Sequence, residues 1–429
     1  MADSDIVLDE SGNAASAVGF AAIGVHAGFR PDPERLDMAL VVADEPCAAA
    51  ATFTTNVFCA APVRVSCEHF SETGCGAPAY GCARAVVVNS GIANAATGEV
   101  GLENARKTAE IVGEAVGCPA NEVLVASTGV IGQHLNLEPF GTGVPAALAT
   151  LAGTADEARA EVGLTAARAI MTTDTVPKHA AVRFSGDGIG YPGATFTIGG
   201  MAKGSGMIMP NMATMIAVLT TDAPVAAPDL SRALSGAVGK SFNKVTVDSD
   251  TSTNDSCFLL ASGAAAPAGP AFTRESPAYE RFCEALEALC VFLARAMAAD
   301  GEGATRLITV TVNGAATAED ADVAARTVAN SPLVKTAVFG HDANWGRVAA
   351  ALGRSGAHFQ QEAVDIDILG LPVCRAGLVV DFDEDEALRR FEAPEVAIEV
   401  NLHAGEESAT VWTCDFSHDY VTINGDYRS

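Results

Sequence analysis

The chain has 429 residues, more than one ordinary core accommodates, so we expect two or three domains. Hydrophobic residues make up 49% of it, which indicates a well-packed globular protein rather than a disordered one. Acidic residues outnumber basic residues 53 to 26, for a net charge of −27, and such a chain would repel phosphate backbones and anionic headgroups. We therefore expect no nucleic-acid partner and no membrane partner.

The cysteine pattern and the first residues of the chain indicate the cellular compartment. The eleven cysteines are scattered, odd in number and without a CxxC pair, so we expect free thiols. The amino-terminal residues carry no basic segment, and no apolar run reaches the roughly 20 residues that span a bilayer. These features favour a cytoplasmic location.

The first half of the chain predicts strands and helices in alternation. Residues 36–42 and 51–55 are short β-prone runs, and residues 84–89 and 122–126 are apolar runs typical of buried strands. A helix is predicted over residues 102–116, between the two buried strands. The second buried strand is expected to end before the loop that begins with Ser127. The order of strand, helix and strand indicates an α/β fold.

Two later regions of the chain are predicted to be helical, and the second has the clearest helical pattern. Residues 145–169 are rich in alanine and predicted helical, and residues 277–298 combine Ser276 as a cap with an apolar stripe. A strand resumes at residues 307–312. We expect a smaller second domain over approximately residues 275–395.

Three motifs resemble ligand-binding loops without meeting their requirements. The GIGYPG run at 188–193 contains Pro192 and is followed by a β-prone run, whereas a dinucleotide loop needs a helix there, so the run predicts a turn. The lysine of Lys203-Gly-Ser precedes the glycine, which excludes a P-loop. The acidic run 245–255 lacks the glycine and the glutamate of a calcium loop, so no metal is expected there.

The stretch 203–222 contains a threonine in an unusual setting. Thr214 lies where small, flexible residues meet an apolar run. If its hydroxyl attacked the carbonyl of Ala213, the peptide would become an ester, and hydrolysis would leave Thr214 as a new amino terminus. The freed α-amine has an unperturbed pKa of about 7.7–8.0, so it could act as base for its own hydroxyl. The ordinary alternative is a threonine in a core strand.

The sequence around Thr214 resembles the self-cleavage signature of a known family. The runs KGSGMI, PNMATM and TTDA, which together cover most of residues 203–223, resemble that signature in the ornithine acetyltransferase (glutamate N-acetyltransferase) family. The resemblance implies that Thr214 is the nucleophile. It also implies cleavage between Ala213 and Thr214, which would give chains of residues 1–213 and 214–429.

Further blocks extend this resemblance over nearly the whole chain. They are NSGIAN at 89–94, MTTDT at 171–175, VDSDTSTND at 247–255, DGEGAT at 300–305, FGHDANWGR at 339–347 and NGDYRS at 424–429. Two departures occur, where Ala96 replaces an expected cysteine and Ala343 a common proline. Neither position has a catalytic role in the family. By resemblance the protein is α/β (α+β), with an αββα-layered core of the DmpA/ArgJ-like type and a second, smaller α/β domain.

The resemblance also implies which residues form the site. The oxyanion hole falls on Thr128 and Gly129. Substrate contacts fall on the following residues: Thr172 (or the adjacent Thr173), Lys203, Thr214, Glu302, Asn424 and Ser429. N-acetylornithine carries a carboxylate and a side-chain ammonium, so its site needs one cation and one anion, which Lys203 and Glu302 could supply.

The implied activity is transfer of acetyl from N2-acetyl-L-ornithine to L-glutamate through an acetyl-threonine, in arginine biosynthesis. No metal or bound cofactor is implied, and the use of acetyl-CoA as a further substrate stays open. The implied partners are the two small-molecule substrates and the two self-cleaved chains, assembled as an α2β2 heterotetramer. One alternative is an N-terminal-nucleophile amidohydrolase or aminopeptidase with the same self-cleavage. The other is a non-catalytic α/β binding module.

Overall fold

The fold contains two β-sheets flanked by helices, which confirms the α/β class. A computed structural model describes residues 6–209, 215–266 and 268–426. In these residues the larger sheet consists of β1 (Ile6–Asp9), β2 (Phe20–Val25), β3 (Met38–Phe53), β4 (Tyr80–Ile92), β5 (Val123–Val130), β6 (Lys178–Ser185), β7 (Thr195–Lys203), β8 (Ile216–Thr221) and β9 (Ser256–Ala261). The smaller sheet consists of β10 (Leu307–Ala315), β11 (Asp365–Ile368), β12 (Leu371–Arg375), β13 (Leu378–Val379), β14 (Glu395–Asn401) and β15 (Glu407–Cys414).

The helices of the described residues follow the sheets in two groups. Those in the region of the larger sheet are α1 (Ala61–Thr73), α2 (Gly98–Val116), α3 (Glu138–Gly153), α4 (Arg159–Ala169), α5 (Ala227–Lys240) and α6 (Pro277–Ala299). Those later in the chain are α7 (Ala318–Ala329), α8 (Pro332–Phe339), α9 (Trp345–Gly353), α10 (Glu384–Arg390) and α11 (His418–Asp426).

The larger sheet is mixed, with strand order β1-β6-β7-β8-β9-β3-β4-β5 and β2 paired to β3. Two neighbouring pairs, β4 with β5 and β8 with β9, are parallel, and the other pairs are antiparallel. The parallel pair β4–β5 ends at one edge with Ser90 opposite Thr128 and Gly91 opposite Gly129. On the other half of the sheet, β7 ends at Lys203, opposite the start of β8.

Alternating residues of this sheet divide between an inner and an outer apolar layer. Val86 and Val88 of β4 share one buried cluster with Ile216 and Val218 of β8, although the two strands lie in different halves of the sheet. The intervening Val87 packs instead with residues of α1, α2 and α3. The intervening residues of β8 pack with α5 and α6. The two halves therefore meet face to face with helices outside, which is the expected αββα order.

The smaller sheet encloses a core of its own with α7, α8, α9 and α10. It spans residues 307–414, whereas the sequence placed the second domain at approximately 275–395. The difference at the start arises because α6 packs its apolar face on the first core rather than the second. At the end, β15 pairs with β10 and so extends the sheet beyond residue 395.

Most predicted elements are confirmed within a few residues. Ser276 caps α6 by accepting a hydrogen bond from the backbone N–H of Tyr279, as its sequence predicts. The run 188–193 forms turns. In contrast, the two strands predicted at 36–42 and 51–55 are one 16-residue strand, β3, whose register shifts between Val42 and Cys47.

The cysteines agree with the expectation of free thiols. All eleven cysteines lie within the described ranges and are free thiols. Across those same ranges, no helix combines the length and the apolar character needed to cross a bilayer.

Candidate active site

The end of β5 holds the predicted oxyanion pair in a conformation that requires glycine. Gly129 has a φ of 129°, and a β-carbon there would lie 2.2 Å from the carbonyl carbon of Gly91. Thr128 is buried, with 5% of its surface exposed. The loop expected from residue 127 is wrong in position, because Ser127, Thr128 and Gly129 continue β5 alongside β4. The strand pairing therefore fixes the backbone of both predicted donors.

Lys203 lies at the end of β7, buried beside a carboxylate. Its Nζ is 3.8 Å from Oδ2 of Asp174, and only 2% of the residue is exposed. Burial lowers the pKa of Lys203, while the negative charge of Asp174 acts in the opposite direction. The lysine is thus a desolvated cation rather than a solvated surface group.

Asp174 connects this lysine to a second buried ion pair. Its Oδ1 accepts hydrogen bonds from Nζ of Lys178 at 2.7 Å and from the backbone N–H of Gly204 at 2.7 Å. Its Oδ2 accepts the backbone N–H of Thr172 at 2.9 Å. Lys178 also bonds Asp300 at 2.5 Å. Burial opposes ionisation of Asp174, but Lys203 and Lys178 outweigh it and hold its pKa below the ordinary value.

We expect Asp174→Asn to reduce the free energy of unfolding by about 3 kcal/mol at pH 7, because it leaves two buried lysines short of one counter-charge. A carboxyl group whose pKa is lowered by folding stabilises the protein above its unfolded pKa of about 3.9 and loses that effect as the pH falls below it. The difference between wild type and variant should therefore shrink below about pH 4. Urea unfolding at pH 7 and pH 3 measures both values.

Asp32→Asn is the matched control for this variant. Asp32 also accepts a backbone N–H, that of Glu34 at 3.0 Å, but it is exposed. Its replacement should change the free energy of unfolding by less than about 1 kcal/mol. Equal losses in the two variants at pH 7 would contradict a stabilising role for the Asp174 charge.

Glu302 and Asn424 contact each other through their side chains. Nδ2 of Asn424, on α11, donates to Oε2 of Glu302 at 2.8 Å. Glu302 is 8% exposed, and its backbone N–H bonds the carbonyl of Ser205 at 3.0 Å. A β-carbon on Gly206 would lie 2.4 Å from the Glu302 carboxyl carbon, so this glycine makes room for the acid. The carboxyl-terminal helix therefore reaches the site through a side chain.

Carboxyl groups of the acidic run 245–255 accept hydrogen bonds from the backbone around the site. Asp248 accepts the N–H groups of Met207 at 2.6 Å and Ile208 at 2.8 Å, and burial raises its pKa. Oδ1 of Asp255 accepts the N–H of Met215 at 2.9 Å. Burial raises the pKa of Asp255 well above its ordinary value. The carboxylates that mimic a calcium loop in sequence thus hold the chain on both sides of residues 210–214.

One cavity of about 440 Å³ collects most of the predicted site residues. Its lining includes Thr128, Gly129, Thr172, Thr173, Lys203, Glu302 and Asn424. Both threonines of the alternative pair line it, so the choice between them stays open. The remaining predicted residues, Ala213, Thr214 and Ser429, lie outside the described residues. The volume is within the usual range for small-molecule sites.

The cavity also contains residues that the sequence did not single out. Its lining adds Ala93, Val130, Ile131, Gly206, Met207, Ser252, Thr253 and Asn254. Asn254 and Asp174 both lie inside blocks that carry the family resemblance. Membership of those blocks was therefore the sequence signal that could have pointed to these two residues, although it assigns no role to either.

Comparison with known proteins gives a consistent result. The model of the ArgJ family matches residues 21–429. The "Arginine biosynthesis bifunctional protein ArgJ" of Symbiobacterium thermophilum is 49% identical over 420 residues, which cover 98% of this chain and 99% of that protein. The protein of the same name from Chlorobaculum tepidum is 46% identical over 411 residues, covering 96% of each. The crystal structure of ArgJ from Bacillus halodurans shares 43% identity and a TM-score of 0.48, covering 49% of this chain and 98% of that one. The chain therefore belongs to the ArgJ family.

Proposed function

We propose that this protein transfers an acetyl group from N2-acetyl-L-ornithine to L-glutamate through an acetyl ester on Thr214. The observation that carries the proposal is the convergence of separate sequence blocks on one cavity. Thr128, Gly129 and Lys203 come from the segment 1–213, whereas Glu302 and Asn424 come from 214–429. The names of the ArgJ relatives support the same pathway, arginine biosynthesis.

The first half-reaction acetylates the enzyme. The Thr214 α-amine accepts the proton of its own hydroxyl as Oγ1 attacks the acetyl carbonyl of acetylornithine. The oxygen of the tetrahedral intermediate takes the charge, and the Thr128–Gly129 pair supplies donors to it. Collapse breaks the carbon–nitrogen bond, and the α-ammonium returns the proton to the leaving amine of ornithine. The products are ornithine and an acetyl ester.

The second half-reaction runs the same steps in reverse with another amine. The α-amino group of glutamate attacks the ester carbonyl, the same donors hold the oxyanion, and the Thr214 oxygen leaves with a proton. Since both amino acids meet the same atom, ornithine departs before glutamate reacts. The mechanism is therefore ping-pong.

An assay of purified protein with acetylornithine and glutamate tests this function. We expect ornithine and N-acetylglutamate in equal amounts, with parallel double-reciprocal lines. Acetylornithine alone should yield an enzyme about 42 Da heavier, with the mass on the fragment that begins at Thr214. Release of acetate without N-acetylglutamate would favour the amidohydrolase alternative. Intersecting lines without an acetylated fragment would indicate direct transfer in a ternary complex.

Glu302→Gln tests the charge recognition of the donor. The variant keeps an oxygen that can accept from Asn424 but removes the counter-ion for the ornithine ammonium. We expect kcat/KM for acetylornithine to fall at least about thirtyfold, which corresponds to about 2 kcal/mol, with unchanged unfolding temperature. Glu34→Gln, at an exposed position, is the control and should leave the kinetics unaltered. Unchanged kinetics in Glu302→Gln would remove this residue from the site.

A second acetyl donor forms part of the proposal. Both relatives described above are named bifunctional proteins, which supports acetyl-CoA as an additional donor to glutamate. Incubation with acetyl-CoA and glutamate, without acetylornithine, measures this activity directly. The absence of N-acetylglutamate would make the enzyme monofunctional. No metal or bound cofactor enters either half-reaction as proposed.

Assembly and location complete the proposal. We expect the chains 1–213 and 214–429 to remain together as an α2β2 heterotetramer, of about twice the 43.7 kDa precursor mass. Sedimentation of the purified protein measures this mass. A cytoplasmic location is supported by the eleven free thiols, since thiols stay reduced in that compartment.

A further inference from the structure

A buried asparagine bridges the backbone just before the predicted oxyanion pair and the backbone just after β4. Nδ2 of Asn254 donates to the carbonyl of Ser127 at 2.9 Å and to the carbonyl of Ala93 at 2.6 Å. Ser127 immediately precedes Thr128 on β5, and Ala93 follows the end of β4. Asn254 is 6% exposed. Its amide group therefore holds the ends of both parallel strands from outside the sheet ladder.

The orientation of this carboxamide is fixed by its own partners. Two carbonyl oxygens can be matched only by the amino group of an asparagine, which has two hydrogens to donate. Oδ1 accepts from the hydroxyl of Thr253 at 2.5 Å. Ser127 is held a second time, because its hydroxyl donates to Oδ1 of Asn89 at 2.6 Å. The peptide group between Ser127 and Thr128 is thus restrained through both the carbonyl and the side chain of Ser127.

The next residue, Asp255, holds the backbone beside the predicted nucleophile in a similar way. Oδ1 of Asp255 accepts the N–H of Met215, the residue that follows Thr214 in the sequence. Asp255 is fully buried, and its backbone carbonyl accepts from the N–H of Thr54 at 3.0 Å. Two adjacent side chains therefore hold the oxyanion strand and the start of β8, which lie in different halves of the larger sheet.

We propose that the Asn254–Asp255 dipeptide is a positioning element that sets the Thr128–Gly129 pair against the amino-terminal end of β8. This inference rests on the proposed acyl transfer. Neither residue needs to touch the reacting atoms. Asn254 acts through Ser127, and Asp255 acts through Met215. Because Ser127 precedes the predicted cleavage point and Asn254 follows it, the hydrogen bond would join the two processed chains.

A double-mutant cycle between Asn254 and Thr128 tests the inference. We expect Asn254→Ala to lower kcat about thirtyfold with KM within twofold, and Thr128→Ala to lower it about a hundredfold. If Asn254 acts through the oxyanion pair, adding its replacement to Thr128→Ala should cost at most about threefold more. Rates are divided by the processed fraction on a denaturing gel, which separates slow transfer from slow cleavage.

The control is a buried asparagine remote from the cavity. Nδ2 of Asn13 donates to the carbonyl of Ala160 at 2.8 Å, and the residue is fully buried. Asn13→Ala should lower the unfolding temperature as Asn254→Ala does, yet leave kcat per processed enzyme unchanged. Asn254→Ser, which retains a shorter donor, replaces the alanine variant if that variant does not fold.

The Asp255 half of the element has an independent test. Asp255→Asn keeps an acceptor for the Met215 N–H and should retain kcat within about threefold, whereas Asp255→Ala should lose at least about tenfold. Any of three results would overturn the inference. The kcat losses of the Asn254 and Thr128 variants could multiply fully in the double variant, or Asn254→Ala could raise KM alone. The third result is an equal kcat in the two Asp255 variants. Wild-type protein that transfers no acetyl would instead overturn the proposed function, so the two failures are distinguishable.

Discussion

Replacing Thr214 with alanine should leave a single uncleaved polypeptide and lower acetyl transfer at least about 10⁴-fold, the scale of loss when a nucleophile is removed. Alanine lacks the hydroxyl that would attack the Ala213 carbonyl, and without cleavage no α-amine forms at residue 214. The wild-type precursor should run as two bands, residues 1–213 and 214–429. A denaturing gel and the acetylornithine–glutamate assay measure both effects.

Two controls separate the hydroxyl from the rest of the side chain. Thr214→Ser retains the nucleophilic oxygen and should still be processed, although more slowly, because serine lacks the methyl group that restricts χ1. Thr327→Ala removes a threonine on α7 whose hydroxyl bonds the carbonyl of Val323, and it should leave processing and transfer intact. An uncut wild type with full activity would contradict the assignment of Thr214 as nucleophile.

The fold class could be read from the sequence, but the packing of the sheet could not. Residues 84–89 and 122–126 are continuous apolar runs, so they predict buried strands without indicating which side chains face which layer. The structure separates Val86 from Val87 into different layers because the two halves of the sheet fold onto each other. The buried cluster between them includes residues of β4 and β8, which are remote in sequence. The αββα order came only from the family resemblance.

Local signals misled the prediction where tertiary pairing overrode them. Asp44, Glu45 and Pro46 suggest a turn between two short strands, since proline and acidic residues are depleted in strands. They instead lie within β3, at the register shift where the strand is exposed. Similarly, the stripe of α6 predicts an amphipathic helix but not which of two cores it covers.

The burial of the charged residues of the site could not be predicted from the local sequence either. An isolated lysine or glutamate is far more often solvated than buried, so Lys203 and Glu302 stood out only through the resemblance. What keeps Lys203 in the interior is Asp174, whose carboxylate also bonds Lys178. The pairing of Lys178 with Asp300 spans 122 residues, and no local pattern reports it. Burial and charge compensation are properties of the assembled site.

Gly129→Ala should lower acetyl transfer at least about a hundredfold, because it disturbs the backbone N–H on which the oxyanion hole depends. The new β-carbon would lie 2.2 Å from the carbonyl carbon of Gly91 and 2.4 Å from its oxygen, so β4 and β5 must separate locally. The φ of 129° adds strain for any residue with a β-carbon. We expect a free energy of unfolding lower by at least about 2 kcal/mol as well.

Gly132→Ala distinguishes steric displacement from backbone strain. Gly132 follows three residues later with a φ of 85°, and a β-carbon there would meet nothing within 4 Å. Its replacement should cost about 1–2 kcal/mol of stability from the left-handed conformation alone and leave transfer per processed enzyme within about threefold. Equal rates for the two alanine variants would mean that the close approach of Gly129 to Gly91 does not position the oxyanion donor. A Gly129→Ala enzyme with wild-type kcat would remove this strand end from the acyl-transfer step.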